Sequence, residues 1–484
     1  MSAARTILRN SLFGVASEVA GGALFFAAFI MLARYLGSER FGQLSYVLAI
    51  AGIFQLVADL GLTNVVVREV AAARDRVGEI FATLQPLIWM LSIGCFGLIA
   101  AVAYLASPDA ELFGATLFLG AAALATFHAV AYASVCRAYE EMGFNAVGNL
   151  THKLVLLGCL AAAIVGRANL VGLGAAFLAG NLYQCAFFYA VVKRRYARQL
   201  RWRIDWRYAR YLVAEAVPVG MAMICRRLNL HVDTLLLAAL SSSGAVGLFS
   251  AAYKVIQVID MLPFTLAMPL FPPFSRFARE SRAALFAAVD RAFRVFLAIA
   301  FPLAGWLYFL APELIVLLYG APFADAASAL RILAASVLFL FPTALYSYVF
   351  IAMGEARFYT LASAICLALK IVLDCALIVP LGHDGAAYGT LVAEIAFFAS
   401  GALFLRRLGC RTPWLTLAAK PAAATLVSCA AAFAWMPAAR PLELLAGATL
   451  LYGIGYLGVG LLLGAVRRDE FAALRDAILL RARP

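Results

Sequence analysis

Two adjacent arginines, Arg226 and Arg227, stand near the middle of EAVPVGMAMICRRLNLHVDTLLLAAL (215–240), a stretch otherwise apolar enough to cross a bilayer. An arginine at a membrane centre costs roughly 2.5–3.5 kcal/mol on insertion scales, so such a pair must face protein or a watery cavity. Neighbouring helix positions point about 100° apart, so the two can hardly share one cavity face. One can contact a ligand while the other binds Asp233 or snorkels; a purely structural ion pair with Asp233 is the competing reading. Lys254 and Lys370 are two further cations inside apolar segments, and Lys370 lies four residues before Asp374, a spacing that puts both on one helix face. Glu18, Asp59, Asp260 and Glu394 are carboxylates in the same setting. A buried carboxylate can exchange a proton as its surroundings change, because burial raises its pKa toward neutrality. These four, with Asp233 and Asp374, are the candidates for ion coupling or hydroxyl contacts. His128, His152 and His231 stand near helix ends, where packed polar residues are the plainer reading. Asn149, Asn181, Tyr183, Gln184, Tyr253 and Gln257 could hydrogen-bond or stack on a polar ligand, or join helices to one another.

The elements that must hold these residues are membrane helices. The 484 residues are 65% hydrophobic and only 13% charged, and the mean hydropathy is +0.92, where a soluble chain has about a quarter of its residues charged. A span needs about 20 apolar residues. That length predicts helices near 10–35, 42–63, 82–105, 112–136, 148–166, 170–192, 211–239, 244–270, 290–318, 328–352, 358–380, 385–405, 414–436 and 442–465, fourteen in all. The first apolar run is too long for a signal-peptide core and reads as a retained helix. Nine cysteines, without CxxC pairs, argue against a disulfide framework or a metal site. No cofactor is expected.

The net charge of +13 would raise nucleic acid as a partner in a soluble protein. Here the arginines follow topology instead. With the N-terminus inside, alternate connections hold Arg68, Arg74 and Arg76, then Arg137, then the eight basic residues of KRRYARQLRWRIDWRYAR (193–210), then Arg276, Arg279, Arg282 and Arg291, then Arg357, then Arg406, Arg407 and Arg411. The intervening connections are short and hold few. That alternation predicts both termini in the cytoplasm.

Weak internal repeats occur in order. LGSERFGQLSYVLA (36–49) matches LSSSGAVGLFSAAYK (240–254), RAYEEMGF (137–144) matches IAMGEARF (351–358), and NLVGLGAAF (169–177) matches HDGAAYGTL (383–391). The pairs align Gly42 with Gly247, Glu141 with Glu355, and Gly172 with Gly385. An even number of spans separates the copies, which relates two bundles by an axis along the membrane normal. The expected organisation is a six-helix bundle at 1–192, a basic linker at 193–210, a second bundle at 211–406, two further helices at 407–466 and an amphipathic tail at 467–484.

Two six-helix bundles with two more helices, the opening LARYLGSERFGQLSYVLAIAGIFQLVADLGL and the segment AMGEAR at 352–357 resemble the polysaccharide-flippase (Wzx-like) branch of the multidrug/oligosaccharidyl-lipid/polysaccharide (MOP) exporter superfamily. The resemblance implies an all-α, MATE-like membrane fold and movement of undecaprenyl-diphosphate-linked oligosaccharides across the bacterial inner membrane, with membrane lipids and polymerase or chain-length proteins as partners. It also implies a possible proton or sodium gradient as energy source. Under that implication Arg226, Arg227, Lys254 and Lys370 would meet the diphosphate, which an arginine fork can bind through two oxygens. A cavity for cationic drugs would be expected to be acidic, and the four cations count against that exporter class. A peptidoglycan-precursor flippase is compatible with them. A membrane polymerase or ligase would need a large external loop, and none is present; nor does the chain carry a GxSxG or HExxH motif in a suitable context.

Overall fold

The computed structural model describes residues 3–106, 109–196, 203–435 and 445–465, with side chains undescribed at 3–16, 18, 106, 218–219, 221–227, 433, 435 and 445–446. The described residues form helices joined by short turns. In hydrocarbon no water can pair a backbone N–H or C=O, so a chain this apolar must close its hydrogen bonds within each segment. In order these are α1 (Ala3–Asp59), α2 (Leu62–Ala72), α3 (Val77–Ala106), α4 (Ala110–Ala138), α5 (Met142–Val165), α6 (Leu170–Arg195), α7 (Trp206–Leu240), α8 (Ser243–Ala267), α9 (Phe271–Glu280), α10 (Arg282–Tyr319), α11 (Ala326–Ala352), α12 (Ala356–Leu381), α13 (His383–Arg407), α14 (Trp414–Trp435) and α15 (Leu445–Leu463).

Eleven of these runs are long and apolar enough to cross a membrane by length and composition, and Leu228–Leu240 and Gly447–Leu463 are shorter apolar helices. One run, Val19–Ala72, holds two of the expected spans, which are separated only by the non-helical Gly37 (φ 71°, ψ 174°). The fourteen expected helices are therefore all present. Two more were not expected: α2 and α9 are short amphipathic helices that follow a span instead of crossing. α10 also begins at Arg282, where the hydropathy pattern places its start near 290.

Helix starts follow side-chain capping. Asp109 accepts from Leu112 N at 2.7 Å, Asn169 from Gly172 N at 3.1 Å, Ser242 from Ala245 N at 3.2 Å and Ser281 from Ala284 N at 3.3 Å. Each satisfies one of the donors left open at a helix N-terminus.

The chain divides into two compact units, residues 1–238 and 239–484. In the first, α4 packs against α6 and α1, and α5 against α1 and α6. The α1–α2 joint has two consecutive residues at positive φ, Leu60 (43°) and Gly61 (82°), and Asp59 closes it by accepting from Thr63 N and Thr63 Oγ1, both at 3.0 Å. Gly220 of α7 lies directly on this joint, where a Cβ would meet Leu60 Cα at 2.9 Å and overlap its carbonyl. Backbone touches backbone there.

In the second unit α11 lies between α8, α10 and α13, while α12 pairs with α13. α14 and α15 dock on α10. Pro302 inside α10 has no N–H, which leaves the carbonyl four residues earlier, that of Ala298, without its helical donor. The Tyr456 hydroxyl of α15 donates to that carbonyl at 2.7 Å, and Tyr452 Oη donates to Pro302 O at 2.8 Å. Gly305 makes room for the approach: a Cβ there would stand 2.7 Å from Tyr452 Oη.

The repeated turns have one geometry. At the α4–α5 turn Glu140 is left-handed (φ 63°) and Glu141 N bonds Cys136 O at 3.0 Å; at the α11–α12 turn Gly354 is left-handed (φ 75°) and Glu355 N bonds Phe350 O at 2.7 Å. Glu141 and Glu355 each stand at the N-cap of the following helix.

Candidate functional site

The second unit gathers the candidate cations that the structure describes. The buried face of α12 reads Ala362, Cys366, Lys370, Asp374 and Ile378, one residue per turn, so the apolar periodicity itself carries Lys370 and Asp374 inward. Lys370 is 4% exposed and Asp374 fully buried. Lys370 Nζ lies 5.9 Å from the ring centre of Tyr253 on α8, a cation–π arrangement that is stronger away from water. Tyr253 is in turn stacked on Phe249, one turn earlier, with ring centres 5.4 Å apart. Lys254, the next residue, donates from Nζ to Gln257 Oε1 at 2.9 Å. Tyr253 of α8 thus faces the Lys370 ammonium of α12, while the adjacent Lys254 pairs along α8 with an amide.

Asp374 is held from the other side by α13. A Cβ at Gly389 would overlap its carboxylate, reaching Asp374 Cγ at 3.2 Å, and a Cβ at Gly385 would meet Ile378 N at 2.8 Å. The GAAYG segment (385–389) is therefore a small-residue face that lets α13 close on α12. Asp260 and Glu394 are partly buried on α8 and α13. Each of the two ammonium groups lies in an apolar segment beside a hydrogen-bonding or aromatic neighbour, a setting that can contact an anion.

The first unit holds a second set. His152 Nε2 is 2.8 Å from Asn181 Oδ1, and Asn181 Nδ2 donates to Ala122 O at 3.0 Å. Gln184 donates to Asn149 Oδ1 at 3.1 Å, and His128 Nε2 is 3.2 Å from Ser92 Oγ with its ring against Trp89. These polar side chains join helices, the plainer of the two readings given them above. His231 lies beside Gly52 of α1, where a Cβ would meet its Nε2 at 3.2 Å, and Asp233 is fully buried on α7. Asp59 serves the α1–α2 joint. The side chains of Arg226, Arg227 and Glu18 lie outside the described residues; α7 runs as helix through the two arginines and α1 through Glu18.

Two cations escaped the sequence reading. Lys153, in the middle of α5, packs over the ring of Phe25 on α1 at 4.2 Å. Its signal was a lone lysine within the apolar run THKLVLLG, the same signal that marks Lys254. Arg137 closes α4, and its Nε and Nη2 are buried and meet no hydrogen-bond acceptor among the described residues. Its place in a connection made it look like a topology signal alone.

A family model described as polysaccharide biosynthesis protein matches residues 7–278, more than half of the chain. The chain belongs to this family. An uncharacterized membrane protein of Methanocaldococcus jannaschii is 19% identical over 417 residues, covering 83% of this chain and 99% of that protein. Among solved structures, lipid II flippase MurJ in an inward closed conformation is similar with a TM-score of 0.76 at 15% identity, covering 93% of this chain and 97% of its own. An inward-facing multidrug resistance MATE family transporter of the MOP superfamily gives 0.64 at 17% identity over 80% and 95%. A MOP superfamily transporter from Pyrococcus furiosus gives 0.57 at 14% over 83% and 95%. The fold is that of the MOP transporters, and this member of the polysaccharide biosynthesis family is a multi-pass membrane protein.

Proposed function

We propose that this chain is a flippase that carries undecaprenyl-diphosphate-linked oligosaccharides across the bacterial inner membrane by alternating access, for the assembly of a cell-surface polysaccharide. The observation that carries this reading is the presence of two cations, Lys254 and the buried Lys370, inside the spans of a polysaccharide biosynthesis family member. A diphosphate crossing a low-dielectric slab needs fixed positive charge, and the sugar hydroxyls need groups such as Gln257 and Tyr253. Arg226 and Arg227 add to the diphosphate site, and Glu18, Asp59, Asp233, Asp260, Asp374 and Glu394 are the candidates for sugar contact or for coupling to a proton or sodium gradient. The basic ends of both units, with Arg68, Arg74 and Arg76 in the first and Arg276, Arg279 and Arg406 in the second, support cytoplasmic termini. Membrane lipids surround the transporter, and a polymerase and chain-length proteins receive its product.

The test is transfer of a fluorescent undecaprenyl-diphosphate oligosaccharide in proteoliposomes. Wild-type chain is expected to expose the sugar to an external quencher, and Lys254→Gln with Lys370→Gln to slow this by about tenfold or more per lost charge-assisted contact. Wild-type rates in the double variant, or flipping of lipid II but of no oligosaccharide lipid, would refute the proposal.

A further inference from the structure

At the basic end of the second unit, α13 closes through Leu408 and the left-handed Gly409 (φ 98°), with Gly409 N bonding Arg406 O at 3.1 Å and Cys410 N bonding Leu405 O at 3.0 Å. This turn folds the chain back into α14 and leaves a cavity of about 360 Å³, within the roughly 300–1,000 Å³ of small-molecule sites. Its walls are of two kinds. Arg406 and Arg411 are exposed, and neither forms an ion pair among the described residues. Below them on α13 are Ala399, Ala402 and Leu403, the last 49% exposed, and Trp414 closes the side. The Trp414 ring is fixed by edge contacts with Phe293 at 4.5 Å and Phe398 at 4.7 Å. Among the described residues the one carboxylate bonded to this turn, Asp290, accepts from the Thr412 hydroxyl at 2.7 Å.

We propose that this crevice is a site for the phosphate headgroup of an anionic membrane phospholipid, distinct from the transport site. Arg406 and Arg411 hold the phosphate, Trp414 packs at headgroup depth, and one acyl chain follows the apolar strip from Leu403 to Ala399. Two facts favour a lipid over a soluble anion. The arginines stand where a membrane helix ends, at the level of headgroups, and an apolar path leads from them along the span. A soluble phosphate would gain nothing from that path. The inference is independent of which substrate the chain transports.

The test uses the full chain in nanodiscs, with quenching of Trp414 by lipids brominated on their acyl chains, read as the difference between wild type and Trp414→Phe. Brominated phosphatidylglycerol is expected to quench more strongly than brominated phosphatidylcholine. Arg406→Gln with Arg411→Gln should lower that preference by about fivefold per arginine and about thirtyfold for the pair. Arg276→Gln with Arg279→Gln removes the same charge from the same end, outside the crevice, and is expected to leave the preference unchanged. Retained lipid counted by native mass spectrometry gives the same comparison without a tryptophan variant. Equal quenching by the two lipids, an equal loss in the Arg276 and Arg279 variant, or displacement by millimolar inorganic phosphate would overturn the assignment.

Discussion

Replacing Tyr456 by Phe removes one hydroxyl and leaves the ring in place. Its partner, the Ala298 carbonyl, then has no donor, because Pro302 cannot supply one. Tyr456 is only 5% exposed, so water does not substitute readily. Interhelical hydrogen bonds in membranes average about 0.6 kcal/mol and reach about 1.7, while stranding a buried acceptor costs roughly 1–3. A loss of about 1–2 kcal/mol follows. Pro302→Ala restores an N–H that can reach the same carbonyl from within α10. In that background Tyr456→Phe should cost less than about 0.5 kcal/mol, since its acceptor is already served. The coupling between the two substitutions is therefore about 1 kcal/mol, whatever the effect of Pro302→Ala alone. Unfolding titrations of the four proteins in mixed micelles measure it. If Tyr456→Phe costs the same with and without Pro302, the proline-freed carbonyl is not what holds α15 to α10.

Two further outcomes are expected. The repeated turns differ at their left-handed residue, a position that costs a non-glycine residue roughly 1–2 kcal/mol: Glu140→Gly should raise the unfolding midpoint, since the exposed Arg74–Glu140 pair contributes little, and Gly354→Ala should lower it. Burial pushes the Cys410 thiol up to about 11 from an ordinary 9.0, so less thiolate is present at any pH below about 11, and the deficit is fully developed below 9. Maleimide labelling of Cys410 at pH 8 should run about a hundredfold slower than that of an unperturbed thiol, and a normal rate would show that the turn is open.

The sequence pattern was most informative where hydropathy is strong. The fourteen spans, the shared face of Lys370 and Asp374, and the matched glutamates at 141 and 355 all follow from short-range periodicity. It was least informative for α2 and α9, whose arginines and short length read as connection, because an amphipathic helix lying beside a span lacks a span's continuous apolar signal. Tertiary partners were also out of reach. Nothing local tells that Tyr253 would stand over Lys370 from 117 positions away in sequence, or that Gly389 would shape the pocket of Asp374. Lys153 was legible by the rule that picked out Lys254, whereas Arg137 needed the fold to reveal its burial.

The glycine seam between α12 and α13 also constrains how the second unit can move. Packed helices commonly adjust by small sliding steps, provided that side chains can pass one another. Here a shift of one position would bring a residue with a Cβ onto the Asp374 carboxylate or onto the Leu377 carbonyl, where only glycine fits. A full turn in one direction sets Ala393 against Asp374, and the opposite slide is held by the one-residue turn at Gly382 between Leu381 and His383. These contacts oppose shear along the seam, so α12 and α13 are expected to move as a pair and to carry Lys370 and Asp374 with them.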